Sequence, residues 1–209
     1  MNKGIKMKNI VFDVGGVLIK SVTKEFIRAR LTYKQDAEIV YNEFFRSVER
    51  VMSDRGTISK EERLARALSR IPERSRKEAE KAYEDYATHR EVVNGMPELL
   101  QKLKDDGYKL YVLSNFGKNY RELIDKNGLG FFRLFDGVFV SAFYGAVKPE
   151  REIYKLFLEK FGLRAQECFF IDDKEENVEG AINAGMQGFV FRGNAKELEK
   201  HIETIAGVQ

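Results

Sequence analysis

Four short segments of this chain carry the side chains that group-transfer chemistry needs. Asp13-Val14-Gly15-Gly16-Val17-Leu18 supplies a carboxylate, and Ser114-Asn115-Phe116-Gly117 supplies a hydroxyl beside an amide. Lys148-Pro149-Glu150 adds an ammonium and Asp172-Asp173 two further carboxylates. Carboxylates from two separate segments make an all-oxygen site suited to Mg²⁺, which keeps several waters and shares its shell with phosphate. A lysine and a serine beside it would hold phosphate oxygens by charge and hydrogen bond. A carboxylate left facing phosphorus can attack it as a nucleophile and form an aspartyl phosphate. Each segment also has an ordinary reading. Ser114, Asn115 and Asp173 are residues that cap helices, Lys148 could be a solvated charge, and Asp13 could end a strand in a turn. Four independent caps, however, need not all fall at one edge of a fold.

That edge is set by the elements in between. The apolar runs Asn9–Phe12, Tyr108–Leu113, Gly137–Val140, Cys168–Ile171 and Gly188–Phe191 read as strands covered on both faces. Helical patterns alternate with them at Pro97–Asp106, Lys118–Asn127, Glu150–Phe161, Glu175–Ala184 and Ala195–Ile205. Pro97 and Pro149 stand where a first turn tolerates proline, and Gly107, Gly128, Gly162 and Gly185 where helices stop. The alternation predicts an α/β fold with a doubly wound parallel sheet. Ligands of such sheets bind beyond the carboxyl ends of the strands, which is where the four segments lie. Residues 21–94 break the alternation with three helical stripes: Val40, Phe44, Val48, Met52; Leu64, Ala67, Leu68, Ile71; and Ala79, Ala82, Tyr83, Tyr86. They predict an inserted module of three or four helices. The chain thus divides into an α/β catalytic core of residues 1–20 and 95–209 and a helical cap of residues 21–94, with hinges near Lys20 and Asn94-Gly95.

Composition narrows the function classes. The 36 Lys and Arg exceed the 33 Asp and Glu by three. Residues 21–94 hold 16 against 14 of these, so the excess is not concentrated. No basic face for nucleic acid or a membrane surface follows from this balance. One cysteine, Cys168, excludes a disulfide framework and a multi-thiolate zinc site, and two histidines, His89 and His201, exclude a three-histidine metal site. Cys168, inside a strand, reads as a core residue. Lys3, Lys6 and Lys8 ahead of Ile10–Ile19 imitate a secretory signal, but Asp13 interrupts the apolar stretch. No run approaches the roughly 18 apolar residues of a membrane span. The expectation is a soluble, cytoplasmic protein whose partner is a small phosphorylated metabolite. No motif speaks to its oligomeric state.

The chain resembles the haloacid dehalogenase-like hydrolases over nearly its whole length. Ile10-Val11-Phe12-Asp13-Val14-Gly15-Gly16-Val17-Leu18 resembles the family's first motif, Val112-Leu113-Ser114-Asn115 the second, and Lys148-Pro149 with Ile153-Tyr154 the third. Phe170-Ile171-Asp172-Asp173 with Asn177, Gly180, Ala184 and Gly185 resembles the fourth. The resemblance implies a Rossmann-like core with a small helical cap, nearest the branch of sugar-phosphate phosphatases such as those for α-glucose 1-phosphate. It implies that Asp13 is the nucleophile and a Mg²⁺ ligand, with the Gly15 carbonyl, Asp173 and Asp172 completing the metal site. Lys148 would neutralise charge on Asp13 and the phosphoryl group, which Ser114, Asn115 and Gly16 would hold.

One position departs from the pattern. Most phosphatases of this family carry a second aspartate two residues after the nucleophile, as general acid, and here Gly15 stands there. Such acids are typically worth 10²–10⁴-fold. A water or cap residue can take over, the substrate can have an acidic leaving group such as the anomeric oxygen of a sugar 1-phosphate, or the protein can bind phosphate and metal with little turnover. The 2-haloacid dehalogenases of the same fold need no Mg²⁺, and the pair Asp172-Asp173 argues against that chemistry. Substrate choice is expected from the cap loop Ser53-Asp54-Arg55-Gly56-Thr57, where Arg55 is the candidate forked donor.

Overall fold

The computed structural model describes residues 7–207, so Lys3 and Lys6 lie outside the described residues. The strands are β1 (Asn9–Phe12), β2 (Lys109–Ser114), β3 (Gly137–Val140), β4 (Cys168–Asp172) and β5 (Gln187–Val190). They form one parallel sheet in the order β3-β2-β1-β4-β5. The chain steps outward from β1 to β3, then crosses to the other side for β4 and β5. The reversal falls between β1 and β4, where a crevice opens beyond the carboxyl ends. Phe12 is in register with Ile171, and the Asp13 amide donates to the Ile171 carbonyl at 2.9 Å. The first and last chemistry-bearing segments therefore leave the sheet side by side.

Helices cover both faces because successive strand residues point opposite ways. Ile10, Phe12, Val112 and Ile171 face α6 (Met96–Asp105), α7 (Tyr120–Lys126) and α10 (Ala195–Ala206), which contribute Met96, Leu100, Leu123, Leu198 and Ile202. Val11, Leu113 and Phe170 face α8 (Arg151–Phe161) and α9 (Glu175–Asn183) through Ile153, Tyr154, Phe157 and Ala181. Each fully buried large apolar side chain contributes about 1.5–3 kcal/mol, so this double cover fixes the sheet whose edge carries the site. Cys168 is a buried core residue. His201 stacks on Phe169, and His89 ends a cap helix.

Between β1 and α6 lie five helices: α1 (Lys24–Ala29), α2 (Ala37–Phe45), α3 (Val48–Asp54), α4 (Lys60–Arg70) and α5 (Arg76–Thr88). They bury their own cluster, centred on Ile27, Val40, Phe44, Ala67, Ile71 and Ala79. Two details differ from the sequence expectation of three or four helices. The Val40–Met52 stripe is two helices, broken where Ser47 takes extended backbone at φ −74°, ψ 161°. The break turns Val48 outward, leaving it 66% exposed. The six-residue α1 is too short to show a stripe; the Thr23 hydroxyl caps it by accepting from the Phe26 amide. The segments entering and leaving the cap pair with each other: Ile19 bridges Val92, and the Lys20 amide donates to Glu91 O at 2.7 Å.

Candidate active site

Lys148 organises the crevice. Its side chain is 1% exposed, and its ammonium lies 2.8 Å from Asp13 Oδ1 and 2.6 Å from Asp172 Oδ2. It also donates to the Leu113 carbonyl at 3.0 Å, so three donors meet three acceptors. The solvated-charge reading of this lysine is therefore wrong. Burial works against its charge, but Asp13 and Asp172 outweigh that and hold its pKa above the ordinary lysine value.

Asp172 is fully buried and orients its neighbours. Its Oδ1 accepts from the Lys174 amide at 2.9 Å, and both oxygens lie 3.0 Å from Asn177 Nδ2. Tyr154, also buried, donates its hydroxyl to the Asn177 carbonyl at 2.6 Å and so holds that residue. Asp173 is more open. Burial, then the charges of Asp13 and Asp172, push its pKa up to about 6. Asp13 is raised too, by burial against the opposing pull of Lys148, with Asp172 adding to the rise.

Carboxylate oxygens of Asp13, Asp172 and Asp173 all lie within 4.8 Å of one another. Among the described residues no other group of His, Cys, Asp and Glu comes together in this way. An octahedral Mg²⁺ shell is roughly 4.2 Å across, so the spacing suits one hard divalent ion. Charge agrees: three carboxylates against one ammonium leave a double negative excess, and the Asp172 charge adds to the burial that raises Asp13 and Asp173. With Asp172 already committed to Lys148, Asn177 and the Lys174 amide, Asp13 and Asp173 are the oxygens best free to take a cation.

The remaining sequence candidates divide. Ser114 is buried at the end of β2, and no hydrogen bond from its hydroxyl is made among the described residues. Neither it nor Asn115 caps a helix, because α7 starts after Asn119. Asn115 is a clamp: its amide donates to the Lys148 carbonyl at 3.0 Å while its Oδ1 accepts from the Lys148 amide at 2.8 Å. It fixes the loop that carries the lysine, a role the motif spacing alone did not reveal. Arg55 does not join the carboxylates. Its guanidinium grips Glu150 with two prongs and donates to the Gly145 carbonyl at 3.0 Å, because a neighbouring core carboxylate matches its fork. Its loop sits tight on the core, since a Cβ at Gly56 (φ +79°) would strike the Ala142 carbonyl. Ser53 and Asp54, expected in that loop, are the last turn of α3.

Gly16 and Gly15 behave differently. Gly16 has φ +82°, and a Cβ there would fall into the Asp173 carboxylate. Gly16→Ala should therefore destabilise the fold by about 2–3 kcal/mol, from left-handed strain plus the clash, measurable by urea denaturation. Gly15 has no positive φ, and beyond its chain neighbours a Cβ there meets nothing within 4 Å among the described residues.

A family profile described as haloacid dehalogenase-like hydrolase matches residues 7–185. The chain belongs to the haloacid dehalogenase-like hydrolase family. Its fold is similar to that of a HAD family enzyme of Bacteroides thetaiotaomicron solved as a magnesium complex, with TM-score 0.73, 25% identity, and 95% of this chain and all of that one covered. Among curated proteins it is 34% identical over 113 residues to flavin mononucleotide hydrolase 1 of Arabidopsis thaliana, covering 54% of this chain and 45% of that protein. It is 30% identical over 102 residues to the glyceraldehyde 3-phosphate phosphatase of Methanocaldococcus jannaschii, covering 48% and 44%. The chain spans about half the length of the curated relatives it matches. Among the described residues no helix is long and apolar enough to cross a membrane.

Proposed function

We propose that this haloacid dehalogenase-like hydrolase is a Mg²⁺-dependent phosphatase for a small phosphomonoester, with Asp13 as nucleophile. The observation that carries the reading is the Lys148 ammonium held between Asp13 and Asp172, with Asp173 in the same oxygen cluster. The magnesium complex of the Bacteroides enzyme supports the metal, and the phosphate esters in the names of the curated relatives support the reaction. Asp13, Asp173 and the Gly15 carbonyl would hold Mg²⁺, with Asp172 buttressing them. When bound, the ion supplies positive charge that offsets repulsion between the carboxylates and the incoming phosphoryl oxygens.

An Asp13 oxygen forms a bond to phosphorus as the ester P–O bond breaks. Lys148 keeps that carboxylate aimed and pulls it toward the ionised form against burial, and Ser114 donates to a phosphoryl oxygen. Water then attacks the phosphorus of the aspartyl phosphate, releasing phosphate and restoring Asp13. No side chain at position 15 protonates the departing oxygen, which favours an acidic leaving group such as the anomeric oxygen of a sugar 1-phosphate. Residues 21–94 serve as the cap over this site.

Phosphate release from p-nitrophenyl phosphate, glucose 1-phosphate and glycerol 3-phosphate should require Mg²⁺ and stop with EDTA. No release from any of them would favour a phosphate- or metal-binding protein without turnover, the reading that Gly15 supports. Chloride release from 2-chloropropionate without Mg²⁺ would point to a dehalogenase instead.

The charge cluster also predicts a pH-dependent stabilisation by metal. Asp173 titrates near 6 in the fold against 3.8 as a free side chain. Its protonation favours the folded state below that window, and the contribution is lost as pH rises through about 6. Mg²⁺ offsets the carboxylate charge only where Asp173 is ionised. The rise in melting temperature on adding Mg²⁺ should thus be larger at pH 7.5 than at pH 5. At a hundredfold excess over Kd it corresponds to about 2.7 kcal/mol. An equal or larger shift at pH 5 would contradict the assignment.

A further inference from the structure

We infer that the substrate carries a second anionic group, a carboxylate or a phosphoryl, which Arg63 and Arg90 of the cap bind in the cavity between cap and core. The inference rests on the phosphatase reading and narrows its substrate class.

The cavity, of about 50 Å³, lies where α3, α4 and α5 meet Phe116 and Gly117. These two residues directly follow Ser114-Asn115. At 3.8 Å per residue, the Cα of Gly117 lies at most about 11 Å from that of Ser114. The cap is close here: a Cβ at Gly117 would stand 3.4 Å from Ser53 Oγ. The cavity therefore lies within one compact molecule's span of the phosphoryl site, with Arg63 and Arg90 in its lining.

The lining is cationic beyond its own needs. Arg50 is matched by Asp54 at 2.7 Å. Lys60 and Lys126 share Glu122, at 3.9 and 2.7 Å. Arg63 and Arg90 have no carboxylate within ion-pair distance among the described residues. Arg63 is buried, donating to the Phe44 carbonyl and, at 3.3 Å, to the Tyr83 hydroxyl, which leaves donors of its fork unused. Arg90 sits over Tyr86, its guanidinium carbon 3.4 Å from the ring centroid, and its buried Nε has no hydrogen-bond partner among the described residues.

Such an arrangement is costly as pure scaffolding. Burial holds both guanidiniums below the usual arginine range, and repulsion from Arg50 adds to the effect. Stacking fixes the plane of Arg90 without neutralising it. A bound anion supplies the missing countercharge, and forked, charge-assisted hydrogen bonds are the strongest that arginine makes. The sequence reading assigned this recognition to Arg55, but Glu150 already occupies that fork.

The test compares kcat/KM within matched pairs: 3-phosphoglycerate against glycerol 3-phosphate, and glucose 1,6-bisphosphate against glucose 1-phosphate. Wild type should favour the doubly anionic member of at least one pair by tenfold or more. The pair that shows it tells carboxylate from phosphoryl. Arg90→Gln should reduce the preference about ten- to a hundredfold, the range for a hydrogen bond to a charged group, and Arg90→Lys should reduce it less. Circular dichroism and melting confirm that each variant folds; should Arg90→Gln unfold, the wild-type ratio and Arg90→Lys still decide. Equal wild-type rates within both pairs, with p-nitrophenyl phosphate turned over, would overturn the inference and leave the phosphatase standing. The same loss on both members in Arg90→Gln would also overturn it. No Mg²⁺-dependent release from any ester, p-nitrophenyl phosphate included, would overturn both.

Discussion

Asp13→Asn should leave a folded protein whose Mg²⁺-dependent phosphate release falls on the order of 10⁵-fold, the scale on which deleting a nucleophile acts. The amide cannot attack phosphorus, yet its oxygen can still accept from the Lys148 ammonium, which keeps Asp172 and the Leu113 carbonyl as partners. The fold should not suffer. Burial and the Asp172 charge already disfavour an ionised Asp13, so replacing it relieves repulsion as it removes one ion pair. The checks are steady-state kinetics, a melting curve within a few degrees of wild type, and intact mass. A phosphoryl adduct trapped on the wild-type protein should be absent from the variant. Residual activity within tenfold of wild type would place the nucleophile elsewhere.

Asp13, Lys148 and Asp172 are all legible in the sequence as site residues, and the reason is physical. Buried parallel strands write themselves as short apolar runs, and the chemistry follows each run at one edge. Accordingly β1 and β3 match their expected bounds. The strands β2 and β4 end one residue later than expected, because Ser114 and Asp172 are polar at the last rung of the ladder and look like loop, and β2 also starts one residue later, at Lys109. Lys148 was legible as a site residue, although its burial was not. Nothing local distinguishes a solvated lysine from one enclosed by Asp13, Asp172 and a carbonyl from β2.

Less was legible where partners come from distant segments. The bond exchange between Asn115 and the Lys148 backbone spans 33 residues, and the Arg55–Glu150 pair spans 95. Pattern within a segment carries no trace of either. The cap shows the same limit. Stripes at 3.6-residue spacing located its core, but a continued spacing across Ser47 hid the break between α2 and α3. Arg50, Arg63 and Arg90 read as ordinary charges, and only the packing of α3, α4 and the segment after α5 near Phe116 and Gly117 brings them to one cavity. A surplus of just three cations in the whole chain gave no hint, since these arginines come together only in the folded chain.

Gly15→Asp tests the one departure from the family pattern, and the local structure admits it. The backbone at position 15 is not left-handed, and beyond its chain neighbours a Cβ there touches nothing within 4 Å among the described residues. Glycine is thus not required for the turn, in contrast to Gly16, and its absent side chain is a matter of chemistry. The new carboxyl would sit two residues from Asp13, in a site whose net negative charge favours its protonated form. A protonated acid near the departing oxygen is what a poor leaving group lacks. Release from glycerol 3-phosphate should therefore rise about 10²–10⁴-fold, the usual worth of a general acid. p-Nitrophenyl phosphate should change little, because its leaving group departs without a proton. The gain should vanish as pH rises and the new acid ionises. The Gly15 carbonyl remains, so Mg²⁺ dependence should be unaltered. An equal effect on both esters would mean a general change in the site. No effect on either would mean that the native protein already delivers the proton, leaving a water or a cap side chain as the acid. The decisive quantity is the ratio of the two substrates, since it responds to proton donation and is blind to small losses in folding or metal affinity.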